Sequence, residues 1–171
     1  MKKLVILCLK DDKIGTELVR GLLSKLKEAN FVKQYTTDKN ANENFESVAG
    51  RVFFDMVEEN KFLEYHDENG IFYGTLYARS EKGEGVVIML NSVDVALEIK
   101  KYNTRAMTFY VLPESEREEF EKSKFQWSDK RTKNKLLDFL VTYDTVEQAT
   151  EIVCEIVNFM SKHAIFSSMI I

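Results

Sequence analysis

Residues 62–75 read FLEYHDENGIFYGT, Phe62 to Thr75. Aromatic and aliphatic residues flank the polar turn Asp67-Glu68-Asn69-Gly70, whose Asn-Gly pair is a strong short-range hairpin signal because both residues tolerate positive φ. The stretch therefore predicts two antiparallel strands meeting at a tight turn. Within them stand one carboxylate, Glu64, and two hydroxyls, Tyr73 and Thr75, which a hairpin can hold toward one cleft. The same residues also suit the hairpin itself, Tyr73 as a packed aromatic and Thr75 as a good strand former.

The rest of the chain gives this hairpin ordinary surroundings. A chain of 171 residues, 44% hydrophobic and 30% charged, can build one domain with a full core, and one proline with seven glycines argues against linkers. The net charge of −4 gives no footing for nucleic acid, whose binding rests on phosphate neutralisation. Cys8 and Cys154 are too few for a disulfide framework, and His66 and His163 each lack a second His or Cys nearby for a metal site. No apolar run reaches the roughly 18 residues of a spanning helix, and the start lacks a signal-peptide pattern. The expectation is a cytoplasmic protein with no membrane partner.

In chain order, Leu4–Leu9 is a continuous apolar run, the mark of a strand covered on both faces by helices. A helix follows with Leu18, Leu22, Leu23 and Leu26 on one stripe. Phe31–Thr37 reads as the second strand, Asp38–Asn44 as a solvated loop, and Phe45–Lys61 as a helix with Val48, Val52, Met56 and Val57 inward. Val86–Leu90 is another buried strand, and Ser92 is a natural N-cap for the helix after it. Met107–Pro113 is a strand, and Ser115-Glu116-Arg117-Glu118 a capping box. Asp138–Tyr143 is the last strand. Thr145-Val146-Glu147-Gln148 then opens a final helix burying Ile152, Val153, Ile156, Val157 and Met160. Strands alternating with helices predict an α/β domain with a parallel sheet flanked by helices and the hairpin as a small subdomain.

Residues 62–75 closely resemble the monophosphate-binding segment of guanylate kinases, which reads FLEW, a hairpin, then YYGT. The resemblance extends in element order over nearly the whole chain, through Tyr35-Thr36-Thr37, Asn91–Leu97 and Leu112-Pro113. It implies a P-loop kinase fold in which the acid Glu64 reads the guanine edge, Tyr73 touches the monophosphate and Thr75 also reads the base. It divides the single domain, 1–171, into a core of about 1–30 and 86–163, a GMP-binding-like subdomain of about 31–85, a reduced lid of about 120–135 and an apolar tail, 164–171.

The family's phosphate-handling residues are altered. On the pattern GxxxxGKS/T, Leu9 and Ile14 fall on the glycines, Gly15 on the lysine and Thr16 on the magnesium-binding hydroxyl, while Asp11 and Asp12 bring negative charge to the phosphate seat. Lys10 and Lys13 are the nearest substitute cations. Asp38 and Ala41 stand at the two clamp arginines, Phe45 at a phosphate-binding tyrosine and Ser92 at an acid. The lid keeps Lys122, Lys124, Lys130, Arg131, Lys133 and Lys135 around Trp127, as a shortened and mostly solvated remnant.

Two functional classes follow from the resemblance. One is a guanylate kinase-like protein, a pseudokinase with a degenerate phosphate loop, that binds or regulates without cofactor. The other is a divergent active kinase using ATP and magnesium on GMP. The absence of the lysine, both arginines and an acid at once favours the first, because phosphoryl transfer rests on positioning and electrostatic stabilisation. The partner the resemblance implies is a guanine nucleotide or nucleoside, while the apolar tail, which has no counterpart in the family pattern, suits packing onto its own domain, a second copy of the chain or another protein.

Overall fold

The computed structural model describes residues 3–76, 85–126 and 138–163. The chain runs β1 (Lys3–Cys8), α1 (Asp12–Lys25), β2 (Ala29–Val32), β3 (Gln34–Thr36), β4 (Phe45–Ser47), α2 (Gly50–Glu58), β5 (Phe62–Glu68), β6 (Ile71–Leu76), β7 (Val86–Leu90) and α3 (Val93–Tyr102). It continues through β8 (Met107–Pro113), a 3-10 turn (Glu114–Glu116), α4 (Arg117–Gln126), β9 (Phe139–Tyr143) and α5 (Val146–His163).

β1 is central in a five-stranded, wholly parallel sheet ordered β2-β7-β1-β8-β9. Its alternate side chains feed two cores. Val5 and Leu7, with Ile88, Phe109 and Val111, pack against Leu18 and Leu22 of α1 and Val153 and Val157 of α5. Leu4, Ile6 and Cys8, with Val87, Met89 and Leu112, pack against Val95, Ala96 and Ile99 of α3 and Phe120 of α4. Burial on both faces explains why these strands read as unbroken apolar runs.

The second sheet, ordered β4-β3-β6-β5, carries the hairpin. Glu68 pairs with Ile71, and the two intervening residues, Asn69 and Gly70, have φ of 56° and 81°, the left-handed pair that a two-residue turn requires. Gly74 has a different reason: a Cβ there would lie 2.7 Å from the Phe62 ring. Phe62 in turn stacks on Phe53 of α2 at 4.7 Å, forming a third, aromatic core.

Several sequence expectations change. Phe31–Thr37 is not one strand, since the chain passes from β2 in the large sheet to β3 in the small one with only Lys33 between. Phe45–Lys61 is not one helix: Phe45–Ser47 pairs in parallel with Gln34–Thr36, and the helix begins at Gly50. That start turns Phe53 fully inward and leaves Val52 46% exposed. Leu23 is exposed beside the buried Leu18-Leu22-Leu26 stripe, and Met160 is 41% exposed although Val153 and Val157 on the same helix are fully buried. Asn44 is buried rather than solvated.

At Ser115 the chain makes a 3-10 turn after Pro113, and α4 opens only at Arg117. Thr145 does cap α5, its Oγ1 accepting from Gln148 N at 3.2 Å, while Gln148 Oε1 accepts from Asp144 N one residue before the cap. Lid residues 127–135 and the tail 164–171 lie outside the described residues. Among the described residues no helix is long and apolar enough to cross a membrane, and no group of three or more His, Cys, Asp and Glu is placed to hold a metal.

Candidate functional site

β1 and β7 are neighbours, but the chain leaves β1 for α1 on one face and β7 for α3 on the other. A crevice must open between their carboxyl ends, the place where open parallel sheets hold ligands. A cavity of about 220 Å³ occupies it, with Leu7, Leu9, Asp11, Gly15, Leu90 and Asn91 in its wall. Beside it a larger cleft of about 460 Å³ lies against the small sheet, bounded by Asp38, Asn42, His66, Glu68, Tyr73 and Val95. Gln34, Phe45 and Ser92 line both spaces.

The turn from β1 into α1 is short. Asp11 is the N-cap of α1, its Oδ1 accepting from Lys13 N at 2.8 Å and Ile14 N at 3.2 Å. These are the orphan N–H groups that make a helix start attractive to anions, and here the protein's own carboxylate takes them. Lys10 turns away: its Nζ donates to Glu116 Oε2 at 3.4 Å, which holds the ammonium above its ordinary pKa. Lys13 is exposed. Gly15 lies inside α1, and Thr16 Oγ1 accepts from Asn44 Nδ2 at 2.7 Å. Ser92 caps α3, accepting from Val95 N at 3.3 Å. Asp38 is held in its own turn, its Oδ1 accepting from Asn40 N at 2.8 Å.

The hairpin register sets Glu64 opposite Thr75 and His66 opposite Tyr73, so all four share one face of the small sheet. Thr75 is fully buried, and its hydroxyl donates to Glu64 Oε1 at 2.8 Å. Gln34 Nε2 donates to Thr75 Oγ1 at 3.0 Å and to Asn91 Oδ1 at 2.6 Å. Glu64 Oε2 lies 3.3 Å from His66 Nδ1. Tyr73 lines the larger cleft, stacked on His66 and edge-on to Phe45. Glu64 and Thr75 line neither space. They are joined to each other and reached through Gln34.

Gln34, Asn44 and Asn91 are the residues that sequence reading missed. Asn91 carried a usable signal, an amide directly after a fully apolar strand and therefore at the carboxyl edge of the sheet. Its Nδ2 is buried without a hydrogen-bond partner, a defect that costs about 1–3 kcal/mol. Among the described residues neither space has a lysine or arginine in its lining, and the larger carries the carboxylates of Asp38 and Glu68.

By sequence the chain matches no protein-family model and no curated protein. By structure it is similar to a guanylate kinase from Anaplasma phagocytophilum, at a TM-score of 0.65 and 13% identity, over 92% of this chain and 85% of that one. Two de novo designed P-loop fold proteins superpose less well, at TM-scores of 0.46 with 18% identity and 0.40 with 16% identity. They cover 95% and 98% of this chain and 96% of each design. The parallel order β2-β7-β1-β8-β9, the small hairpin sheet beside its carboxyl edge and the guanylate kinase superposition together make this a guanylate kinase-like P-loop fold.

Proposed function

We propose that this guanylate kinase-like chain has given up ATP:GMP phosphotransfer and serves as a binding module whose larger cleft accepts an uncharged guanine nucleoside. The observation that carries the reading is Asp11, whose carboxylate fills the anion seat at the start of α1 by accepting from Lys13 N and Ile14 N. A triphosphate there would meet a fixed negative charge and spent donors. With Lys10 paired to Glu116, Thr16 bonded to Asn44 and Ser92 at the acid position, the residues present do not suit magnesium-bound ATP. Losing one such electrostatic group typically costs about a hundredfold to a thousandfold in rate, and several are missing together.

The same reasoning selects the ligand. A cleft bordered by Asp38 and Glu68, without lysine or arginine among the described residues of its lining, repels a phosphate, while the Tyr73 and Phe45 rings offer packing for a flat base. Calorimetry with guanosine, GMP and magnesium-ATP tests this. Guanosine binds at least as tightly as GMP, Tyr73→Ala, which removes a ring from the lining of the cleft, weakens it, and magnesium-ATP gives no binding heat. ADP formation from ATP and GMP above about one turnover per second, the low end for ordinary enzymes, would establish the active-kinase reading instead. GMP held about tenfold tighter than guanosine, a gap of about 1.4 kcal/mol, would show that the cleft still grips phosphate.

A further inference from the structure

Glu64 stands one step back from the larger cleft. Its Oε1 accepts from the buried Thr75 hydroxyl at 2.8 Å, its Oε2 lies 3.3 Å from His66 Nδ1, and it is absent from the cleft wall. His66, two residues along the same face of β5, is in that wall, with its side chain half exposed against 19% for Glu64. A carboxylate only accepts, so the proton of a neutral imidazole here sits on Nδ1, and Nε2 at the far end of the ring keeps its lone pair. Among the described residues no hydrogen bond or ion pair engages Nε2. Tyr73 stacks on the ring at 5.5 Å with the planes 20° apart, which fixes the plane of the imidazole as Glu64 fixes its rotation.

We propose that His66 is the specificity-determining residue of the larger cleft, its Nε2 accepting the N1–H of a guanine ring, with Glu64 and Thr75 as positioning residues behind it. This role for His66 rests on the guanosine reading of the cleft and adds which atom selects the base. A held acceptor beside the Glu68 carboxylate, itself only an acceptor, suits a ligand edge made of donors. Guanine has such an edge in its N1–H and exocyclic amine, whereas N1 of adenine is an acceptor and faces Nε2 without a proton to share.

Calorimetry of the whole chain at about pH 8, where histidine side chains are ordinarily neutral, compares guanosine with 1-methylguanosine, in which a methyl replaces the N1 proton. The parent holds guanosine at least about tenfold tighter, the worth of one well-made hydrogen bond. His66→Phe keeps a ring against Tyr73 and removes the acceptor, on a strand where phenylalanine is a favourable residue. It lowers guanosine affinity by about that factor and closes the gap between the two nucleosides.

Glu64→Ala tests the positioning role, and the fold survives it because the Thr75 hydroxyl keeps Asn91 Oδ1 at 3.1 Å as an acceptor. A proton–nitrogen correlation spectrum of the ring nitrogens shows His66 as the Nδ1–H tautomer in the parent and as a mixture in Glu64→Ala, and guanosine weakens in step. Added to His66→Phe, the same change has no further effect on guanosine. Guanosine that binds, weakens in Tyr73→Ala and is unaffected by His66→Phe leaves the proposed function standing and overturns the role of His66. A methyl gap that persists in His66→Phe, or a His66 tautomer indifferent to Glu64, overturns it too. Absence of guanosine binding to the parent overturns both.

Discussion

Asp11 is a single side chain that closes α1 and, in the function proposed above, also excludes anions from the crevice. Asp11→Ala releases both N–H groups and loses about 1 kcal/mol, within the 0.5–2 range of such caps. For a chain of this length that lowers the melting temperature by about 2–4 °C. Asp11→Ser, which keeps an acceptor at the cap, recovers most of the loss, and paired thermal melts of the two variants measure it. At this scale the sequence is partly legible. Two acids directly after the first strand are visible in the letters, and the Glu64–Thr75 contact follows from hairpin register. Gln34 meeting Asn91 across 57 positions does not, because nothing local encodes which loop will face which strand end. The unpaired Nδ2 of Asn91 emerges only once every neighbour is in place.

Among the elements, α5 shows how a helical stripe ends. Its 18 residues span about 27 Å at a rise of about 1.5 Å each. The five residues of β9 span about 17 Å. The helix therefore overhangs the sheet, and the period that buries Val153 and Val157 carries Met160 past the edge. Val157→Asp places an unpaired charge in the core and unfolds the domain, whereas Met160→Gln changes stability by no more than about 0.5 kcal/mol. Circular dichroism melts of both variants decide this, and a Met160→Gln as damaging as Val157→Asp would place the overhang elsewhere. The hairpin was readable because Asn69-Gly70 states its own geometry. β4 was not, because three residues carry no period and Phe45 fits a helical stripe equally well; the partner β3 decides the matter.

For the molecule as a whole, burial leaves a signature in alkali. It pushes the Cys8 thiol up to about 12 and raises Cys154, Tyr110 and Tyr143, whereas burial lowers Lys3 and works in the opposite direction. Groups whose folded pKa lies above the unfolded value bind more protons in the native state. Their contribution is fully present below the unfolded value, near 9 for the thiols, and is lost as pH rises toward the folded one. The melting temperature therefore falls from about pH 9 upward, and Cys8→Ala flattens that decline when melts are recorded across the range. The overall architecture was the most legible level. The inner strands β1 and β7 are apolar on both faces because two helical layers need it, and that requirement is written in consecutive letters.

The trio Gln34, Thr75 and Asn91 joins the two sheets at Asn91 Oδ1, which lies 2.6 Å from Gln34 Nε2 and 3.1 Å from Thr75 Oγ1, close to the single residue, Lys33, that separates β2 from β3. This arrangement constrains how the sequence can drift. Replacing any one member strands polar atoms on the others at about 1–3 kcal/mol, while exchanging partners together for apolar groups of matching shape is nearly neutral. Lineages carrying this chain should therefore change these positions in concert, passing from one complete set to another, and a variant caught halfway will be rescued by a second substitution across the sheet boundary rather than by its own reversal alone.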